Sequence, residues 1–204
     1  MTDLDKALGD ISSIRRQVAR STQFRGYGPA TLAATGLFAI VAAGAQAFWA
    51  ADPARHVGGY LGIWVSTAIL SAGLTGVQMF TRSRRMHSSM SGEMINMAVE
   101  QFLPSAGTGL LLTIVLLRAA PDSMWMLPGM WQVIFSLGIF SSSRFLPRPI
   151  VAAGAWYLLT GLICIGMGGN GALNPWAMGI PFGAGQLLVA SIIFFASKEA
   201  SDES

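Results

Sequence analysis

The chain has 204 residues, of which 52% are hydrophobic and only 11% charged, a balance too apolar for an ordinary soluble domain. Thirteen Lys and Arg against ten Asp and Glu give a net charge of +3, but the basic residues sit beside apolar stretches, which is membrane patterning and not a nucleic-acid signature. The single cysteine, Cys164, excludes an intramolecular disulfide and reads as a small buried hydrophobe.

Residues 1–28 form a polar tail. Leu4, Leu8, Ile11, Ile14 and Val18 fall within an arc of roughly 120° on a helical wheel, which predicts an amphipathic helix. Asp3 and Asp5 near its start and Arg15, Arg16 and Arg20 near its end both suit the helix macrodipole. Such a helix is expected on the inner membrane surface, with its arginines reaching lipid phosphates, or docked beneath the bundle or on a partner.

Six apolar stretches follow: Pro29 to Ala51, Gly58 to Phe80, Phe102 to Leu117, Met124 to Ser143, Ile150 to Gly168 and Trp176 to Ser197. None contains Asp, Glu, Lys, Arg or His. Each is close to the roughly 20 residues that cross a bilayer as a helix, and the third, the shortest, is expected to draw on its flanks or to thin the bilayer. Ala45-Gln46-Ala47 has the form of a signal-peptide cleavage site, but the apolar run around it is longer than the roughly 7–15 residues of a signal core, so retention is expected. The fold class is therefore all-α, with residues 29–197 as one six-helix transmembrane domain and 198–204 as a short tail.

Charge gives the topology. Lys6, Arg15, Arg16, Arg20, Arg25, Arg82, Arg84, Arg85, Arg144, Arg148 and Lys198 all fall on one side, and only Arg55 and Arg118 on the other. The positive-inside rule then puts both termini in the cytoplasm.

Punctuation suggests three helical hairpins. Pro29, Pro104 and Pro147 are read as opening the first helix of each, since a first turn does not need the missing N–H. Pro53, Pro121 and Pro175 mark the outer loops, Trp125, Trp131 and Trp176 the starts of second helices, and Phe-Leu-Pro recurs at Phe102 and Phe145. A threefold tandem repeat is one reading. Pro and Trp marking membrane boundaries, with no repeat, is the other. Pro128 and Pro181 lie inside spans and are expected to kink them.

Small residues at Gly28, Gly36, Gly44, Gly58, Gly62, Gly73, Gly76, Gly179, Gly183 and Gly185 are expected to let helix backbones approach. The interior offers only neutral polar groups, chiefly Gln46, Gln78, Gln132 and Gln186, which disfavours an ion or proton pump. Those glutamines are read either as interhelical hydrogen-bond formers or as a polar path for water or a small neutral solute.

His56 and His87 both lie in loops, so paired histidines for haem between spans are lacking, and no HExxH, phosphate loop or nucleophile–base constellation is present. No catalytic residue, cofactor site or metal site is expected. The second inner connection is distinctive: Arg82, Arg84 and Arg85 precede Met86, Met90, Met94 and Met97 at helical spacing. Thioethers suit Cu(I), but flexible methionines more commonly form an adaptable contact surface, so this segment is read as a partner or lipid contact. Glu100 and Arg144 each stand near a Phe-Leu-Pro element and are candidates for a structural ion pair across hairpins.

The run Ile14-Arg15-Arg16-Gln17-Val18-Ala19-Arg20-Ser21-Thr22-Gln23-Phe24, with Val99-Glu100-Gln101-Phe102-Leu103-Pro104, Trp125-Met126-Leu127-Pro128-Gly129-Met130-Trp131-Gln132 and Arg144-Phe145-Leu146-Pro147-Arg148, resembles an uncharacterised group of bacterial six-span proteins. The resemblance extends over nearly the whole chain and implies a bacterial inner membrane and no catalytic activity. The expectation is a non-enzymatic accessory or regulatory membrane protein acting through cytoplasmic-face contacts, with a protein partner or a second copy as candidate partners. The alternative is a small carrier or channel for a neutral solute.

Overall fold

Helical hydropathy is realised as helices throughout the described part of the chain. The computed structural model describes residues 28–50, 56–85 and 89–202, with backbone alone at 82–85, 89–99, 145, 170 and 199–202. Among these residues there is no strand, and six helices are long and apolar enough to cross a membrane, as befits a multi-pass membrane protein. They are α1 (Pro29–Trp49), α2 (Val57–Arg85), α3 (Ser89–Ala119), α4 (Leu127–Ser142), α5 (Ile150–Met167) and α6 (Pro175–Asp202). A 3-10 turn over Pro121–Met126 leads into α4, and a single helical turn, Gly169–Ala172, lies between α5 and α6. The amphipathic tail with Arg15, Arg16 and Arg20, Met86 and His87, and the side chains of Arg82, Arg84, Arg85, Met90 and Met94 all lie outside the described residues.

Successive helices run antiparallel. Gly28 meets Gln78 while Gln46 meets Trp64 across α1 and α2, and Trp131 meets Thr113 while Gly138 meets Phe102 across α3 and α4. We call the end bearing Gly28, Arg85 and Arg144 the basic face, and the end bearing His56 the opposite face.

The most extensive seams are α1 on α6 and α4 on α5, followed by α3 on α4, α1 on α2 and α5 on α6. Two seams are close because glycine faces backbone. A Cβ on Gly129 would stand 2.6 Å from the Gly161 carbonyl oxygen, and one on Gly161 would stand 2.8 Å from that of Gly129. Across α1 and α6, a Cβ on Gly36 would lie 3.0 Å from the Gly183 oxygen. Apolar burial gives no net drive for association within lipid, so this backbone proximity and its dispersion contacts are what hold such seams. Phe135 fills the middle, with ring centroids 5.3 Å from Phe102 on α3, 4.8 Å from Tyr157 on α5 and 5.4 Å from Phe182 on α6.

Three prolines depart from the sequence expectation. Pro29 does open α1, but Pro104 lies well inside α3, which already begins at Ser89. Pro147 precedes α5, whose N-cap is Pro149. Pro128 sits in the first turn of α4, so the interior kink expected there is replaced by a helix start. Polar residues of the second connection thus continue the helix of the third span, because Ser89–Gln101 contains no breaker (Gly92 alone is weak). The third span gains its length from this extension, reaching 20 residues over Glu100–Ala119.

Candidate functional site

A layer of buried polar side chains lies near the opposite face. Its first member is Gln46, one turn before α1 ends and fully buried. Its Nε2 donates to the Leu173 carbonyl at 2.9 Å, and its Oε1 accepts from Trp64 Nε1 at 2.7 Å. One amide thereby ties α1 to α2 and to the segment joining α5 and α6. Leu173 lies just before α6, and the Ala177 amide that would follow it in a helix donates instead to Asn174 at 2.9 Å. The Leu173 carbonyl therefore needs a side-chain donor, and Gln46 supplies it.

Gln132 performs a related repair on α6. Pro181 lies inside that helix and has no N–H, so the Ala177 carbonyl four residues earlier loses its helical donor. Gln132 Nε2 donates to that carbonyl at 2.9 Å. An unpaired carbonyl at this depth costs several kcal/mol in order of magnitude, roughly the scale for an unsatisfied polar group in hydrocarbon, so the glutamine and the proline form a unit. The carbonyl of Pro181 itself accepts from Trp156 Nε1 at 2.9 Å.

The apolar walls of this layer are Tyr60, Trp64, Leu173, Met178, Ala39, Ala42 and Ala43, with Trp131 stacked on Tyr60 at 6.3 Å between centroids. Cys164 borders it, buried and free, with Sγ 3.7 Å from the Ala172 carbonyl. Two polar atoms here are buried without a partner, Tyr60 Oη and Gln132 Oε1. A second such pair, Tyr157 Oη and Gln186 Oε1, lies nearer mid-span, where Gly185 makes room for the Tyr157 ring and Gly36 for Gln186.

The four glutamines are thus distributed over three levels. Gln46 and Gln132 both reach the start of α6, Gln186 lies against Gly36, and Gln78 sits at the basic face, where its Oε1 accepts from the Gly28 amide at 3.1 Å. Three of them are engaged with backbone groups, the use expected of interhelical hydrogen-bond formers. Glu100 and Arg144 are both exposed, and no ion pair joins them. Among the described residues no group of His, Cys, Asp and Glu is arranged to hold a metal ion.

Several contributors were not picked out from sequence. Tyr60, Trp64, Gly129 and Gly161 become important only through their neighbours, because Trp64 matters by reaching Gln46 and each of the two glycines by facing the other. A signal existed for one link: a lone proline inside a span demands a donor for the carbonyl four residues earlier, and buried glutamines are natural suppliers.

These features define a polytopic helical membrane protein with a hydrogen-bonded polar layer near one end. No family model, curated protein or solved structure matches the chain.

Proposed function

We propose that the protein is a non-enzymatic accessory or regulatory component of a bacterial inner membrane, with both termini cytoplasmic, acting through contacts on its basic face. The observation that carries this reading is the α2–α3 pair. Both helices run past their spans on that face, α2 to Arg85 beyond Thr81 and α3 from Ser89 before Glu100. These extensions carry Arg82, Arg84, Arg85, Met90 and Met94, the most unusual chemistry in the chain. Only 11% of each of these two spans is buried, so most of their surface is left uncovered and well placed to meet another molecule. Arginine clusters there suit anionic headgroups or acidic protein segments, and methionines suit an adaptable apolar contact.

The glutamines support the same choice over a solute path. Gln46, Gln78 and Gln132 are occupied by backbone groups, and they stand at different levels. The three-hairpin arrangement also belongs to this proposal: the packing of α1 on α2, α3 on α4 and α5 on α6 supports it, although the largest seams join helices of different hairpins.

Photocrosslinking groups at Met90 and Met94 in native membranes test the reading, with Ser191 on the exposed side of α6 as control. A discrete protein adduct from 90 and 94, absent from 191 and lost on reversing Arg82, Arg84 and Arg85 to Glu, is the expected result. Lack of any adduct, together with measurable flux of a neutral solute in proteoliposomes, overturns it in favour of a carrier.

A further inference from the structure

The segment between α5 and α6 turns Ala172 and Leu173 into the bundle, while Gly169, Gly171 and Asn174 stay exposed. Ala172 is fully buried, and Leu173 belongs to the same apolar cluster as Tyr60, Trp64, Ala42, Ala43 and Met178. Where the helical turn Gly169–Ala172 ends, the Leu173 carbonyl has no helical donor, and a buried carbonyl of that kind is tolerated only where protein or a wet cavity satisfies it. Two side chains hold the carbonyls of this tip: Gln46 Nε2 bonds Leu173 at 2.9 Å, and Cys164 Sγ makes a weak contact with Ala172 at 3.7 Å. Trp64 fixes the Gln46 amide from the far side.

The Gly168 end of the segment is built to bend, and the Asn174 end to pivot about a capped helix start. Gly168 has φ 65° and ψ 164°, and Gly169 has φ 39°, both conformations that L side chains rarely adopt. Nothing lies within 4 Å of a Cβ built on Gly166, Gly168 or Gly169, so no packed side chain obstructs rotation there. At the other end, Asn174 Oδ1 accepts from the Trp176 amide at 2.9 Å and restarts the helix at Pro175. Beneath the tip lie Tyr60 Oη and Gln132 Oε1, buried polar atoms without partners. Groups of that kind are stabilised when water or a small neutral donor reaches them.

We propose that residues 168–174 are a hinged plug, latched by Gln46, which closes the opposite face of the bundle over a polar layer formed by Tyr60, Trp64, Gln46 and Gln132. Lifting Ala172 and Leu173 about Gly168 and Asn174 breaks the hydrogen bond from Gln46 to Leu173 and admits water to the two unpartnered groups. The inference stands apart from the accessory reading, since it concerns the other face and shares with that reading only Gln46 and Gln132, bound to backbone carbonyls in the closed state.

Cys164 is the native reporter, because the plug tip covers it and the chain has no other cysteine. In sealed proteoliposomes of known orientation, its reaction with a membrane-impermeant thiol reagent is followed from each face. Slow reaction is expected only from the face bearing His56, accelerated roughly 3- to 20-fold by Gln46→Leu, the range that follows from one interhelical hydrogen bond. Trp64→Phe, which removes the N–H that holds the Gln46 amide along with part of the buried indole ring, should accelerate it in the same direction. The control is Ala153→Cys in a Cys164→Ser background, a fully buried position on the same helix. It should stay unreacted with or without Gln46→Leu. Equal acceleration at 153 and 164 would mean that the whole bundle loosens, and an unchanged Cys164 rate in both variants would mean that nothing is latched. Either result overturns the plug, as does faster reaction from the basic face.

Discussion

Helices α1 and α2 have nearly the same mean hydropathy, 1.6 and 1.5, yet 39% of the α1 span is buried and only 11% of the α2 span. The contrast extends to the other spans, since 11% of the α3 span is buried against 33–44% of those of α4, α5 and α6. In water such apolar helices would compete equally for burial. In lipid they do not, because the acyl chains solvate leucine as well as another helix does. What separates the two groups is where glycine meets a partner. Gly36, Gly129, Gly161 and Gly183 each face another backbone, whereas Gly58, Gly62, Gly73 and Gly76 on α2 have nothing within 4 Å of a built Cβ.

The harshest way to break this comparison is to widen a closed seam. Gly161→Leu drives a side chain into the Gly129 carbonyl and should destabilise the protein by about 3 kcal/mol or more, beyond ordinary overpacking, as read from unfolding in mixed micelles. Removing a polar repair comes next. Gln132→Leu leaves the Ala177 carbonyl without a donor and should cost about 1–3 kcal/mol in the same assay. Its pairing with Pro181 sharpens the point: in a Pro181→Ala background the helix donor returns, and the penalty of Gln132→Leu should fall by about half or more. Full retention of the penalty would show that the amide acts elsewhere.

A smaller effect is expected where α3 meets α4. Trp131→Phe removes the Nε1–H bond to Thr113 Oγ1, 3.0 Å long, and should cost about 1 kcal/mol. On the open side, Gly62→Leu should change stability by less than about 0.5 kcal/mol, as should Glu100→Gln, since Glu100 is exposed and unpaired with Arg144. A large loss from Gly62→Leu in native membranes but not in micelles would reveal that a partner covers α2 there.

The spans were legible because membrane crossing is a property of consecutive residues: about 20 apolar positions satisfy their own backbone as a helix wherever they occur. The sequence boundaries agree with the structural spans to within three residues, from Pro29 at the start of the first to Lys198 at the end of the last, where the apolar stretch stops at Ser197. Local punctuation was less reliable. Pro104 was read as a helix start because it precedes an apolar run, but the polar residues before it are themselves good helix formers. The site was half legible: Gln46 and Gln132 stood out as polar groups in apolar surroundings, while their partners, the carbonyls of Leu173 and Ala177, carry no residue-type signature at all.

Composition and hydropathy by themselves determined six apolar spans, a charge-free interior and the crowding of basic residues at one end, since each depends only on what a segment prefers as its solvent. Tertiary structure alone decided which glycines became seams, which amides mended which carbonyls, and that Ala172 and Leu173 turn inward. Those outcomes depend on pairs of surfaces meeting in three dimensions, and in lipid no hydrophobic gradient along the chain foretells which surfaces they will be.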